Sequence, residues 1–161
     1  MSESTTETSL AAHPSLFEPA VIVTGGTSQV NIQACRTAIS AGSKVVLLNN
    51  NVKETKTTIK ILKEEFGKNT EIFFIQMDIT ETSSVRTAAN EVLAKFPRID
   101  TLICNATITT TSKQETAFAT FESQLSDQHQ GYLLLSAMLF DRIQETQGQI
   151  VIVANLGANA D

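Results

Sequence analysis

Residues 20–31 read AVIVTGGTSQVN and join a buried strand to a helix through a glycine turn. Ala20–Thr24 is short, apolar and β-branched, which is typical of a central strand in a parallel sheet. Gly25 and Gly26 supply the turn, and apolar residues then recur at the three- and four-residue spacing of a helix that ends at Gly42. The residues predicted for the inner face of this helix are Val30, Ala34, Cys35, Ala38 and Ile39.

The same alternation of apolar runs and helical periods continues along the chain, with Pro97 closing the third helix. A long fourth helix is predicted from about Thr116 to about Thr146. The predicted strands are Ala20–Thr24, Lys44–Leu48, Glu71–Met77, Asp100–Cys104 and Gln149–Val153. Strands joined by right-handed helical crossovers predict an α/β fold: a Rossmann-like, doubly wound parallel sheet of about five strands, in the order 3-2-1-4-5, with helices on both faces.

Length and composition predict one domain over residues 19–161 behind a disordered tail over residues 1–18, because 161 residues with 42% hydrophobic content can bury a single core. The tail has no signal or transit signature, and Tyr132–Phe140 is too short to span a bilayer. A net charge of -5 argues against nucleic acid and anionic membranes as partners. We therefore expect a cytoplasmic protein, with Cys35 and Cys104 buried, free and without a metal.

The turn over residues 24–28 is the first candidate site, because helix N–H groups and the helix dipole favour an anion such as a pyrophosphate there. A tight turn between strand and helix also needs glycine for conformational reasons alone, so both interpretations stay open. The G-x-G-x-x-G pattern is incomplete. Gln29 and Asn31 stand where further glycines would admit a phosphate, and we expect their side chains to crowd a cofactor.

The tips of the second and third strands are the next candidates. A dinucleotide site usually has a carboxylate at the second tip to hold the ribose, or a basic residue nearby for a 2′-phosphate. Residues 49–51 are all asparagine, which carries no charge, and Lys53 gives a slight preference for NADP; a solvated turn explains the asparagines equally well. Asp78 could accept a hydrogen bond from an adenine amino group, or start the next helix together with Thr80.

Four segments together resemble the short-chain dehydrogenase/reductase family: VTGGTSQVN at 23–31, MDIT at 77–80 followed by Ser84-Val85, IDTLICNAT at 99–107 and GQIVIV at 148–153. The resemblance runs from about residue 20 to about 157 and implies an NAD(P)-dependent oxidoreductase. It implies pyrophosphate contacts from Thr24, Gly25, Thr27 and Val30, adenine contacts from Asp78 and Ile79, and contacts on the nicotinamide side from Asn105 and Ala106. Asn49, at the tip of the second strand, is the candidate for the ribose contact.

Departures from the family pattern carry equal weight. Thr107 replaces a glycine beside the cofactor and is expected to weaken binding, while Gln128 and Asn155 stand in the places of the catalytic asparagine and serine. The Tyr-x-x-x-Lys segment is absent, and Tyr132 is followed four residues later by Ser136. Losing a positioned acid costs about a hundredfold to ten-thousandfold in rate. We therefore expect a truncated domain with no catalytic residues that is incompetent alone.

An apolar cluster wraps more than one face of the long helix and comprises Leu133, Leu134, Leu135, Met138 and Leu139. A fully buried helix explains it. The resemblance alternatively implies a dimer interface, so that a homo- or hetero-oligomer would form through the helix around 116–146. Three roles follow: part of an NAD(P)-dependent oxidoreductase, a non-catalytic nucleotide-binding or interaction module that pairs with a full-length relative, or a decayed remnant.

Overall fold

The computed structural model describes residues 18–25, 28–108 and 114–156, and within the last two ranges the side chains of 106–108, 114–127 and 154–156 are not described. The predicted tail therefore lies outside the described residues, except for Glu18. The elements follow the order β1 (Ala20–Thr24), α1 (Gln29–Ser40), β2 (Lys44–Asn49), α2 (Val52–Phe66), β3 (Ile72–Gln76), α3 (Thr82–Lys95), β4 (Thr101–Ile108), α4 (Gln114–Glu145) and β5 (Gln149–Leu156).

The strands form one parallel sheet in the order β3-β2-β1-β4-β5, which confirms the predicted fold class and strand order. The strands β4 and β5 are longer than predicted, because their pairing continues from Cys104 opposite Ile152 to Ile108 opposite Leu156. This extension carries Asn105 to the carboxyl end of the sheet, next to the end of β1.

Apolar side chains fill both faces of the sheet, because successive strand residues point to opposite sides. One core lies between the sheet and helices α3 and α4; its buried members include Ile22, Val46, Leu48, Val85, Leu135 and Leu139. The second lies against α1 and α2; its buried members include Val23, Cys35, Val45, Leu47 and Leu62. This double cover explains why the central strands read as continuous apolar runs.

The inner face of α1 differs from the prediction by one residue. Its buried positions are Asn31, Cys35 and Ala38, whereas Val30 is 50% exposed. The prediction that Val30 lies on the core face is therefore wrong. The helix is rotated in this way because Asn31 finds buried hydrogen-bond partners in the preceding turn, so a polar residue occupies the inner position.

Both cysteines are free and buried, as predicted, and burial raises the pKa of each thiol to about 11. Helices α3 and α4, which cover the face of the sheet that holds Cys104, are also joined by a side chain: the Arg142 guanidinium on α4 donates to the carbonyl oxygens of Leu93 (3.2 Å) and Phe96 (2.5 Å) at the end of α3. Within the ranges that the structure describes, no helix is both long and apolar enough to cross a membrane.

Candidate functional site

A small cleft of about 90 Å³ lies where the carboxyl ends of β1, β2 and β3 meet. Its lining includes Thr24, Gly25, Leu48, Asn49, Asn50, Met77, Asp78, Ile79 and Tyr132. The structure thus brings together five residues that were predicted from separate stretches of sequence, namely Thr24, Gly25, Asn49, Asp78 and Ile79. In a doubly wound sheet this edge is where ligands bind.

The structure describes some of the other predicted site residues fully, some by their backbone alone, and one not at all. Val30 is exposed on the first turn of α1. Thr27 lies outside the described residues. Ala106 and Thr107 lie on β4 and Asn155 lies opposite Thr107 on β5, but their side chains are outside the description. Gln128 is half-buried on α4.

Gly25 is required at the turn for two reasons. Its backbone has φ +79°, in the left-handed region that residues with a side chain rarely adopt. A Cβ atom built on it would also lie 2.8 Å from the carbonyl oxygen of Asn105. Its N–H donates to the carbonyl oxygen of Leu48 (3.1 Å), so the turn is held between β2 and β4.

A buried polar network lies directly behind this turn. The Asn31 amide donates to the carbonyl oxygens of Thr24 (3.1 Å) and Gly25 (2.6 Å). The Asn105 amide donates in turn to Asn31 Oδ1 (2.9 Å) and Ser28 Oγ (3.2 Å), and the Asn105 N–H donates to Thr24 Oγ1 (3.1 Å). The Asn31 side chain therefore points to the backbone of the turn, and the expectation that it crowds a cofactor stays a prediction.

One atom of this network has no partner. Asn105 Oδ1 is buried and lacks a hydrogen bond, alone among the buried side-chain polar atoms of the described residues. The amide orientation is fixed, because Asn31 uses its N–H groups on two carbonyls and so turns its oxygen towards the Asn105 amide. An unsatisfied buried acceptor costs about 1–3 kcal/mol. A donor on a bound ligand, or an ordered water, would satisfy it.

Tyr132 reaches the same place from α4. Its hydroxyl donates to the carbonyl oxygen of Asn105, and its side chain is buried beside Thr24. Burial raises the pKa of this phenol to about 12, although a hydrogen bond with the Thr24 side chain acts in the opposite direction. The phenol is therefore protonated throughout the physiological range, and its proton is committed to a backbone carbonyl.

The asparagines at the tip of β2 form hydrogen bonds with neighbouring residues. Asn49 donates to Thr55 Oγ1 on α2 (2.9 Å), and Asn51 caps α2 by accepting from the Glu54 N–H (3.1 Å). Asn50 makes only a long contact with Asp78 Oδ2 (3.4 Å). Asn49 and Asn50 also line the cleft, and the ribose contact of Asn49 stays a prediction.

Asp78 shapes the segment that follows β3. Its Oδ1 accepts from the N–H (3.0 Å) and hydroxyl (2.7 Å) of Thr80, and its own N–H donates to Ser84 Oγ (2.9 Å). These bonds show the predicted partnership with Thr80. The N-cap residue of α3 is Glu81, which makes no side-chain capping bond, so Asp78 organises the turn before the helix.

Gly131 is a site residue that sequence reasoning missed. A methyl group placed on it would overlap the carbonyl oxygen of Ile79, so α4 packs directly on the backbone after β3. A glycine inside a long helix costs about 1 kcal/mol relative to alanine, and this cost was the available signal that the position needs a small residue. The side chains that the structure describes hold no cluster of His, Cys, Asp or Glu suited to a metal ion.

The fold and the polar turn together define an open, doubly wound α/β domain with a cleft at the carboxyl ends of its strands. The model of the short chain dehydrogenase family matches residues 19–160. The chain belongs to that family.

Individual dehydrogenases and reductases are also similar to this chain in sequence or in structure. The chain is 37% identical over 109 residues to (+)-neomenthol dehydrogenase of Capsicum annuum, which covers 67% of this chain and 32% of that protein. Levodione reductase superposes with a TM-score of 0.72 at 20% identity, over 83% of this chain and 53% of that one. An alcohol dehydrogenase from Thermococcus sibiricus, solved with 5-hydroxy-NADP, gives 0.68 at 20% identity, over 84% and 57%. At such identities the structures show the fold alone, and the chain spans about a third to just over a half of the length of these proteins.

Proposed function

We propose that this chain binds NAD(P) at the cleft, with a slight preference for NADP, and that these 161 residues alone do not transfer hydride. The observation that carries the proposal is the turn at Thr24–Gly25, which Asn31 and Asn105 fix at the carboxyl end of β1 beside the cleft. The family supports the cofactor class, as does the Thermococcus sibiricus relative with its bound NADP derivative.

Each part of the dinucleotide has partners in this arrangement. Of the first N–H groups of α1, that of Asn31 donates to Ser28 Oγ (3.3 Å), and those of Gln29 and Val30, which precede it, offer a site for the pyrophosphate. Asp78 and Ile79 contact the adenine, and Asn49 contacts the ribose. The unpartnered Asn105 Oδ1 is an acceptor on the far side of the turn. Residues 49–51 themselves carry no carboxylate, and Lys53 lies on the first turn of α2, which gives the preference for NADP. The preference is slight because Asp78 Oδ2 lies 3.4 Å from the Asn50 amide and Glu54 lies beside Lys53.

The proposed lack of turnover rests on Tyr132. NAD(P)H, when bound, would supply a hydride, and carbonyl reduction would also need a proton donor whose pKa is lowered towards neutrality by a nearby cation. The single tyrosine has its pKa raised to about 12 and its hydroxyl bonded to Asn105, and position 136 is serine rather than lysine. We expect no NADPH oxidation by this polypeptide with ketone substrates.

Thermal melting of the purified chain with NADPH or NADH tests cofactor binding. A ligand present at 100 times its Kd stabilises the native state by about 2.7 kcal/mol. For a domain of this length each kcal/mol corresponds to about 2–4 °C in Tm, and NADPH should act at a lower concentration than NADH. ATP at equal concentration is the control for general nucleotide effects. If millimolar NADPH and NADH both leave Tm unchanged, the chain is not a cofactor-binding protein.

A second candidate function is pairing with another chain, either a copy or a full-length relative. Leu133 and Phe140 on α4 are 57% and 51% exposed, and Ile152 on the edge strand β5 is 65% exposed. Leu133 and Phe140 are two helical turns apart and share one side of α4. The interpretation of α4 as a fully buried helix is thus wrong at Leu133, and an interface through the helix around 116–146 accounts for the exposed apolar area.

We expect the chain to self-associate and the double variant Leu133→Gln, Phe140→Gln to sediment as a monomer. Polar residues at these positions remove apolar area that a partner would bury, while leaving the inner face of α4 intact. Sedimentation velocity measures the difference, and Gln130→Ser, at an exposed polar position of the same helix, is the matched control. A wild-type chain that is monomeric at high micromolar concentration would exclude the homo-oligomer.

A further inference from the structure

The carbonyl oxygen of Asn105 is a meeting point of three elements. Gly25 at the end of β1 packs against it closely enough that a Cβ atom would lie 2.8 Å away. Tyr132 on α4 donates its hydroxyl to the same oxygen. Because the carbonyl lies so close to Gly25, a displacement of this carbonyl towards Gly25 would shift the turn after β1.

Tyr132 is held rigidly where it meets this carbonyl. On its N-terminal side Gly131 packs on the Ile79 backbone, and on its C-terminal side Leu135 and Leu139 are fully buried under the sheet. Its phenol also lies within hydrogen-bonding reach of the Thr24 side chain, and its ring lines the cleft. Tyr132 is thus bonded to Asn105 and lies beside Thr24, the residue that precedes Gly25 in the turn.

We infer that Tyr132 is a positioning residue for the dinucleotide: its hydroxyl fixes the Asn105 carbonyl that sets the Gly25 turn, and its ring forms a wall of the cleft. The inference rests on the proposed binding of NAD(P). Tyr132 performs no proton transfer in this role, because its proton stays on the Asn105 carbonyl. A residue of the long helix, far from the turn in sequence, therefore tunes affinity for the cofactor.

The variant Tyr132→Phe tests the hydroxyl while keeping the ring. A net hydrogen-bond contribution of the usual size corresponds to a rise in the Kd for NADPH of about threefold to tenfold. Thr146→Val is the matched control, because Thr146 Oγ1 also donates to a backbone carbonyl, that of Ile99 (2.7 Å). Ile99 precedes β4, at the end of the sheet away from the cleft. The control should lower Tm and leave the Kd unchanged. An unchanged Kd in Tyr132→Phe overturns the inference.

The wild-type chain provides a second, independent readout. Tyr132 is the only tyrosine and the sequence contains no tryptophan, so the phenol fluorescence lifetime reports this one side chain. We expect the lifetime to change as NADP⁺ saturates the cleft, and the oxidised form is used because it does not absorb where tyrosine emits and so cannot quench it by energy transfer. A constant lifetime at saturation overturns the inference even if Tyr132→Phe fails to fold.

The failure of this inference can be told apart from the failure of the proposed function. If NADPH does not shift the melting of the wild-type chain, cofactor binding itself is wrong and the role of Tyr132 fails with it. If NADPH stabilises the wild-type chain but either the Kd of the variant or the lifetime of the wild-type chain stays unchanged, only the role of Tyr132 is wrong.

Discussion

Replacing Gly131 with alanine should destabilise the domain by about 1–3 kcal/mol, the usual range for overpacking a filled site. The added methyl group would overlap the Ile79 carbonyl oxygen, so either α4 or the segment after β3 must move. The sign makes this a sharp test, since glycine to alanine inside an unconstrained helix stabilises by about 1 kcal/mol. Urea unfolding at equilibrium measures the change in the free energy of unfolding.

Gln130→Ala is the matched control, because Gln130 is the neighbouring exposed residue of the same helix. We expect its stability to be unchanged or slightly higher. Since Ile79 is a proposed adenine contact, Gly131→Ala should also weaken NADPH binding, whereas Gln130→Ala should not. A Gly131→Ala protein more stable than wild type would show that α4 does not pack on the Ile79 backbone.

The fold could be predicted from the sequence because its signals are local and redundant. Each central strand is a short β-branched run, and the helices between them keep their apolar spacing, so strand order follows from right-handed crossovers. The ends of β4 and β5 could not be placed in the same way. Residues such as Asn105 and Asn155 interrupt the apolar runs, and only the pairing between the two strands shows that they continue.

The site residues at the ends of strands could be predicted from the sequence. The site residues whose positions depend on how a helix packs could not. Thr24, Asn49 and Asp78 converge because parallel strands present their carboxyl ends at one edge. The position of Asn31 depends instead on two carbonyls that accept its amide, which no motif encodes. Tyr132 meets Asn105 from a helix 27 residues further along the chain, so no local pattern connects them.

Replacing Gly25 with alanine should reduce both stability and cofactor affinity. A left-handed backbone costs a residue with a side chain about 1–2 kcal/mol, and the new methyl group would lie 2.8 Å from the Asn105 carbonyl oxygen. The turn must then move away from β4. Losing even one charge-assisted hydrogen bond to the pyrophosphate corresponds to about a tenfold to hundredfold rise in Kd, which titration calorimetry with NADPH would measure.

Gly42→Ala separates the cost of the left-handed backbone from the effect of the contact with the Asn105 carbonyl oxygen. Gly42 has nearly the same backbone angle, φ +81°, but nothing lies within 4 Å of the added methyl group, and it follows α1 away from the cleft. The Gly42→Ala protein should therefore lose only the free energy that a left-handed backbone costs alanine, and it should keep the wild-type Kd for NADPH. If Gly25→Ala and Gly42→Ala lose stability equally and bind NADPH equally well, the Asn105 carbonyl does not constrain the turn. The dinucleotide would then have to bind elsewhere on the domain.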